Sequence, residues 1–213
     1  MPRKRVTSAL NPIHITARTH NRDLWPISIT DVWRIYEDYL WFIRENFNIR
    51  ILSFVLMPNH FHLLVNSPDD NLGNAMAYFM RESAKQMNFL AGIQNQVYGG
   101  PYHPSIVDSY HYFQNAYKYC YQNPLRAKLV RSPLEWKYST LGGLLGFYKL
   151  AIPLEEDTIL FTPDLDESAI RWICEPVSLE NNEAMRRGLK QKIFNLASDR
   201  KTQKAHLLEK HLL

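Results

Sequence analysis

Apolar and polar residues alternate from Pro12 to Arg18 (PIHITAR), the two-residue period of a half-buried strand. The period then changes. Behind a Thr30 cap, Val32, Ile35, Tyr36, Tyr39, Leu40 and Ile43 recur at helical spacing, which predicts a helix to about Phe47. Arg50 to Met57 reads as a second strand, Pro58-Asn59 as a tight turn, and His60 to Asn66 as a third strand paired with the second. The loop Ser67-Pro68-Asp69-Asp70 ends in helix-capping residues. A long helix is predicted over 71–91, burying Leu72, Ala75, Met76, Phe79, Met80, Met87 and Leu90. Gly99-Gly100-Pro101 breaks the chain, and residues 105–108 fit a short edge strand. The next helix, 110–122, is expected to stop at Asn123-Pro124, because proline disfavours the α conformation in the residue before it. The order is strand, helix, strand, strand, helix, short strand, helix. It predicts an α+β split βαβ sandwich, one antiparallel sheet with helices on one face.

After about residue 150 the pattern changes. Residues 163–173 and 178–197 read as two helices, followed by the charged tail SDRKTQKAHLLEKHLL. We therefore divide the chain into a main domain, 1–150, and a helical C-terminal appendage, 151–213.

Composition narrows the class. Of 213 residues 46% are hydrophobic, so a packed core can form and wholesale disorder is excluded. The net charge of +4 leans towards a polyanionic partner. Two cysteines, Cys120 and Cys174, form neither a disulfide framework nor a ligand cluster. No apolar run approaches the roughly 18–20 residues that span a bilayer. MPRKRVTSALNP lacks the apolar stretch of a secretory signal. The expectation is a cytoplasmic protein without a membrane partner.

Two segments carry candidate chemistry. In His60-Phe61-His62 the strand period sends both imidazoles to one side and Phe61 to the other, so the pair can hold one divalent cation. A triplet of this kind arises by chance in roughly one comparable chain in three, which leaves structural histidines as the alternative. The second segment holds five tyrosines between residues 110 and 121. Helical geometry sorts Phe113, Ala116, Tyr117 and Cys120 onto an apolar stripe facing the sheet. Tyr112, Asn115, Tyr119, Gln122 and Asn123 fall on a polar one. Tyr119 is thus a phenol among amides, and Asn123 lies one turn further on. Packing is the usual role of such a tyrosine, and capping of a following helix is the other role open to Asn123.

The segments LMPNHFHLLV, YCYQNPLRAKLV and LEWKYSTLGGLLG, in this order, resemble the signatures of single-tyrosine transposases of the HUH endonuclease superfamily. More narrowly they resemble the REP-associated tyrosine transposases of bacteria. The likeness spans roughly residues 10–146. It implies a ferredoxin-like, RRM-like sandwich, a Mg²⁺ or Mn²⁺ ion on His60, His62 and Asn123, and Tyr119 as nucleophile. The implied activity is that of a sequence- and structure-specific single-stranded DNA endonuclease and strand transferase with a 5′-phosphotyrosine intermediate. A domesticated, catalytically silent hairpin-binding protein is the alternative. Two departures stand out: Lys128 occupies a position usually Gly, and the loop RTHNRD replaces a Gly-rich one.

The implied partner is single-stranded DNA carrying a palindromic hairpin, which places the protein at the nucleoid. Arg3, Lys4, Arg5, Arg18, Arg22, Arg81, Lys85 and Arg126 are the candidate phosphate contacts. Relatives include helix-exchanging dimers and monomers. The longer chain and its appendage favour the monomer.

Overall fold

In the computed structural model, which describes residues 8–155 and 167–196, the initial alternation becomes strand β1 (Ile13–Arg18). Helix α1 (Ile29–Phe47), strands β2 (Arg50–Met57) and β3 (His60–Asn66) and helix α2 (Leu72–Ala91) follow. Then come strand β4 (His103–Ile106) and helices α3 (Tyr110–Arg126), α4 (Leu141–Leu144), α5 (Glu167–Cys174) and α6 (Leu179–Gly188). The fold is α+β. The four strands form one antiparallel sheet in the order β2-β3-β1-β4.

Strand parity sorts the residues between two faces. Ile13, Ile15 and Ala17 of β1, Phe54 and Leu56 of β2, and Phe61, Leu63 and Val65 of β3 share one buried core. The apolar stripes of α1 and α2, among them Val32, Tyr36, Leu40, Met76 and Phe79, complete it. Helices are expected on one face; α1 and α2 form that layer. Helix α3 lies on the opposite face. There Phe113, Ala116, Tyr117 and Cys120 pack with Val55, Met57 and Leu64, as their stripe implied. Ile173, Met185, Leu189 and Phe194 from the C-terminal segment join this second core.

Several boundaries differ from the expectation, each for a local reason. The cap of α1 is Ser28, whose Oγ accepts from Asp31 N at 3.2 Å; Thr30 instead bonds the Tyr138 hydroxyl at 2.7 Å. Leu90, read as buried, is exposed, and Met80 is only half-buried. The edge strand sits two residues earlier than read. Helix α3 does not stop at Asn123 but carries Pro124 inside it and runs to Arg126. Proline brings no N–H to the Cys120 carbonyl. The Asn123 side-chain amide takes that place, donating to the Tyr119 and Cys120 carbonyls at 2.8 and 3.3 Å.

Helix α6 ends at Gly188 rather than near 197. A side chain at Gly188 would meet the Phe194 ring at 2.4 Å, so the chain turns tightly there and Phe194 folds back over it. The returning residues pair with β4: Ile106 N donates to Lys192 O at 2.9 Å and Phe194 N to Ile106 O at 2.7 Å. At the other side of the sheet, Leu56 N donates to Tyr138 O and Thr140 N to Phe54 O, both at 2.9 Å. Both sheet edges are thus covered by the chain itself, which blunts strand-to-strand aggregation. The charged tail and residues 163–166 lie outside the described residues.

Candidate functional site

His60 and His62 emerge from β3 on the face that carries α3, while Phe61 is fully buried in the opposite core. Their ring centroids are 5.1 Å apart. Each ring is held at Nδ1. His60 Nδ1 lies 2.7 Å from Asn59 Oδ1, and His62 Nδ1 lies 2.9 Å from His14 Nε2. Both residues line the same cleft, and the buried His62 Nε2 has no hydrogen-bond partner among the described residues.

Burial keeps these rings neutral. It lowers His60 to a pKa of about 4, with the Arg126 charge contributing, and His14 to about 3, with His103 contributing. His62 falls well below its ordinary value for the same reason, aided by its imidazole neighbours. Neutral imidazole is the form that binds metal. Each neutral ring has one lone pair to offer, and a buried orphan nitrogen such as His62 Nε2 is what a bound cation would satisfy.

Helix α3 brings Tyr119 to the same place. Its ring stands edge-on to His62 at 5.7 Å and to His14 at 6.4 Å. Only 7% of Tyr119 is exposed, and burial raises its pKa above the ordinary phenol value. The Arg126 guanidinium opposes that rise, lying 4.4 Å from the Tyr119 ring centroid and donating from Nη1 to Asn123 Oδ1 at 3.2 Å. The Asn123 amide nitrogen is used within the helix, so its oxygen is the atom left for the site.

His14, His62 and Cys120 also bring ligand-type atoms within 4.8 Å of one another. All three residues of that inner cluster are buried. Burial pushes the Cys120 thiol up to about 12, and His62 spends its Nδ1 on His14. A thiol must be deprotonated to ligate.

The residues open into a cleft of about 860 Å³. Arg18, Arg22, Arg126, Arg186 and Lys190 line it, five cations against the single carboxylate of Glu183. Arg81 and Lys85 do not reach it. They lie on α2, across the sheet, and both pair with Glu82, at 2.6 and 3.1 Å. Arg3, Lys4 and Arg5 lie outside the described residues.

The polar stripe of α3 divides. Tyr119 and Asn123 face the cleft. Gln122 instead clamps the C-terminal segment, donating to the Ile173 and Glu175 carbonyls at 2.8 and 2.6 Å, and Tyr112 packs on Phe194. His14, Arg186 and Lys190 join the site unannounced by any motif, and Asn59, read only as part of the turn within LMPNHFHLLV, joins it as well. Parity in PIHITAR did set His14 apart from Ile13 and Ile15. The two departures from the resembled pattern fall at left-handed backbone: Lys128 at φ 58° and, in the first loop, Asn21 at 53° and Arg22 at 65°. Glycine is favoured in that region, and asparagine tolerates it.

Comparison with known proteins follows the same line. The family model described as "Transposase IS200 like" matches residues 8–119. A solved REP-associated tyrosine transposase bound to a REP hairpin superposes with a TM-score of 0.56 at 16% identity, over 84% of this chain and 99% of that one. At that identity the likeness shows the fold. A putative transposase from Deinococcus radiodurans aligns over 56% of this chain and 95% of its own at 17% identity, with a TM-score of 0.38, too low for an argument. Comparison with curated proteins gives no match. No helix among the described residues is long and apolar enough to cross a membrane.

Proposed function

The chain belongs to the IS200-like transposases, and from that premise we propose that it cuts and rejoins single-stranded DNA through a covalent bond to Tyr119. The observation that carries this reading is convergence. One chain places the Tyr119 ring 5.7 Å from His62, with His60, Asn123 and Arg126 around the same cleft.

The residues fit a hard divalent cation. His60 Nε2, His62 Nε2 and Asn123 Oδ1 would hold Mg²⁺ or Mn²⁺, which when bound supplies positive charge to a non-bridging oxygen of the scissile phosphate. The protein does the rest. Arg18, Arg22 and Arg126 draw the phosphate backbone into the cleft. Arg126 also favours the phenolate by charge. Tyr119 Oη attacks phosphorus, so the Tyr–O–P bond forms as the P–O3′ bond breaks. The phenol loses its proton and the departing 3′ oxygen gains one. The products are a 5′-phosphotyrosine and a free 3′-hydroxyl. The number of phosphoester bonds is unchanged, so the 3′-hydroxyl of another strand can reverse the step without a nucleotide cofactor.

The proposed substrate is a DNA hairpin with an adjacent single strand, the kind of ligand named for the structural neighbour. It places the activity at the nucleoid. A site assembled within one chain supports a monomer as the working unit. Residues 1–150 would form the catalytic domain, and the C-terminal segment would brace α3 through Gln122.

The test is covalent capture. Hairpin DNA with single-stranded flanks from beside the protein's own gene is mixed with protein and Mn²⁺ and resolved on a denaturing gel. Wild type should form an adduct and Tyr119→Phe none. An adduct that survives Tyr119→Phe but disappears in Tyr121→Phe would overturn the assignment. Binding without any adduct would favour a silent hairpin binder, and cleavage without one a hydrolase.

A further inference from the structure

Asn59 sits in the tight turn between β2 and β3, directly before His60. The turn is held by the loop that follows β1. Thr19 N donates to Asn59 O at 2.9 Å, Trp25 N to Pro58 O at 3.2 Å, and Trp25 Nε1 to Met57 O at 2.7 Å. In the same loop, Arg22 takes a left-handed φ of 65°. That turns its carbonyl towards the Asn59 side chain, whose Nδ2 donates to it at 2.9 Å.

Amide flips and imidazole tautomers are usually ambiguous. Here a backbone carbonyl removes the ambiguity. A carbonyl only accepts, so the Asn59 NH₂ must face Arg22, and Oδ1 must face His60 at 2.7 Å. An amide oxygen only accepts as well, so the proton of His60 sits on Nδ1. Its Nε2 is then a bare lone pair.

We infer that Asn59, oriented by the Arg22 carbonyl, is a positioning residue that fixes His60 as the Nδ1–H tautomer and so presents Nε2 to the cleft as a ligand. His62 has no such lock. Its partner His14 can donate or accept, and the His14 Nδ1 is buried without a partner among the described residues, so neither proton arrangement of that pair is favoured by a fixed acceptor. The relay also ties recognition to ligation. Arg22 lines the cleft and gives its carbonyl to the turn that aims His60.

The inference rests on the reading that His60 holds the cation, and the test separates the two. Long-range ¹H–¹⁵N spectra of the metal-free protein report the His60 tautomer, and Mn²⁺ titration followed by electron paramagnetic resonance, without DNA, reports affinity. Wild type should show Nδ1–H at His60. Asn59→Ala should release it to a mixture of tautomers and weaken Mn²⁺ binding by about 10–100-fold, the usual loss when a metal ligand's orienting partner is removed. Asn59→Asp keeps an acceptor oxygen for His60 Nδ1 but loses the donor to the Arg22 carbonyl, so it should restore both readouts only in part. A wild-type His60 protonated on Nε2, or an Asn59→Ala protein with unchanged tautomer and affinity, overturns the inference. The expected tautomers with no Mn²⁺ uptake by wild type would uphold the role of Asn59 and sink the cation reading instead.

Discussion

His14 Nε2 lies 2.9 Å from His62 Nδ1, both residues buried, so a histidine from β1 partners the His62 imidazole of β3. Replacing His14 by Phe keeps a ring and removes the unpartnered His14 Nδ1, but leaves His62 Nδ1 without its hydrogen bond. A buried polar group left unsatisfied costs about 1–3 kcal/mol. Since one orphan replaces another, urea denaturation of His14→Phe should show a loss at the low end of that range, about 1 kcal/mol. His14→Gln, with a polar terminus at similar reach, should recover part of it. A Phe variant as stable as wild type would mean that the hydrogen bond contributes nothing net.

The same burial gives an acid limit. Folded His60 and His14 titrate near 4 and 3, against 6.5 for the unfolded chain, and His62 is also depressed. Between those values the unfolded state binds more protons. Stability from these groups is therefore complete above about pH 6.5 and falls as the pH drops towards 4 and 3. The slope is up to about 1.4 kcal/mol per pH unit for each histidine. Urea midpoints measured from pH 8 to pH 4 should decline from about 6.5 downwards, and less steeply in His14→Phe.

Arg126 touches both the Tyr119 ring and the Asn123 oxygen. Arg126→Ala removes the charge that opposes the burial-raised phenol pKa. Adduct formation should slow by about 10–100-fold, a step of 1.4–2.8 kcal/mol, and its pH–rate profile should move to higher pH. Arg126→Lys keeps charge but not the planar stacking, and should recover the pH profile better than the rate. A slowed reaction with an unmoved profile would restrict Arg126 to binding DNA.

How the fold was legible depends on which period the residues obey. Strand parity alone put His60 and His62 on one face and Phe61 in the core, because a two-residue repeat leaves no other choice. Helical spacing likewise put Cys120 inside and Tyr119 beside Asn123. His14 was not legible: its meaning depends on the β1–β3 register, a long-range pairing that local pattern does not encode. The continuation of α3 past Pro124 was hidden because a side chain, Asn123, answers the carbonyl that proline cannot. Spacing placed Arg81 and Lys85 on one stripe of a helix, without saying which side of the sheet that helix would cover.

That last point yields a binding prediction. Arg18 and Arg22 line the cleft, whereas Arg81 and Lys85 are ion-paired across the sheet. Arg18→Ala and Arg22→Ala should each weaken hairpin DNA binding and reduce the salt slope of log K by about one phosphate contact. The Arg81→Ala, Lys85→Ala double variant should leave both unchanged. Fluorescence anisotropy at several salt concentrations distinguishes the sets. Equal losses from both would require a DNA path around the α2 side.

Lys128 offers a stability test away from the chemistry. It stands at φ 58° just past α3, with its N–H donating to Leu125 O at 3.0 Å. A side chain in left-handed backbone costs roughly 1–2 kcal/mol, because Cβ crowds the following carbonyl. Glycine has no Cβ, but it also gains more freedom in the unfolded chain, which offsets about 0.5–1 kcal/mol. Lys128→Gly should therefore stabilise the protein by a few tenths to about 1 kcal/mol, read as a raised urea midpoint with an unchanged slope. Lys128→Val, β-branched at the same backbone angle, should do the opposite. If glycine lowered the midpoint, the lysine side chain would have to be held by a contact that outweighs the strain.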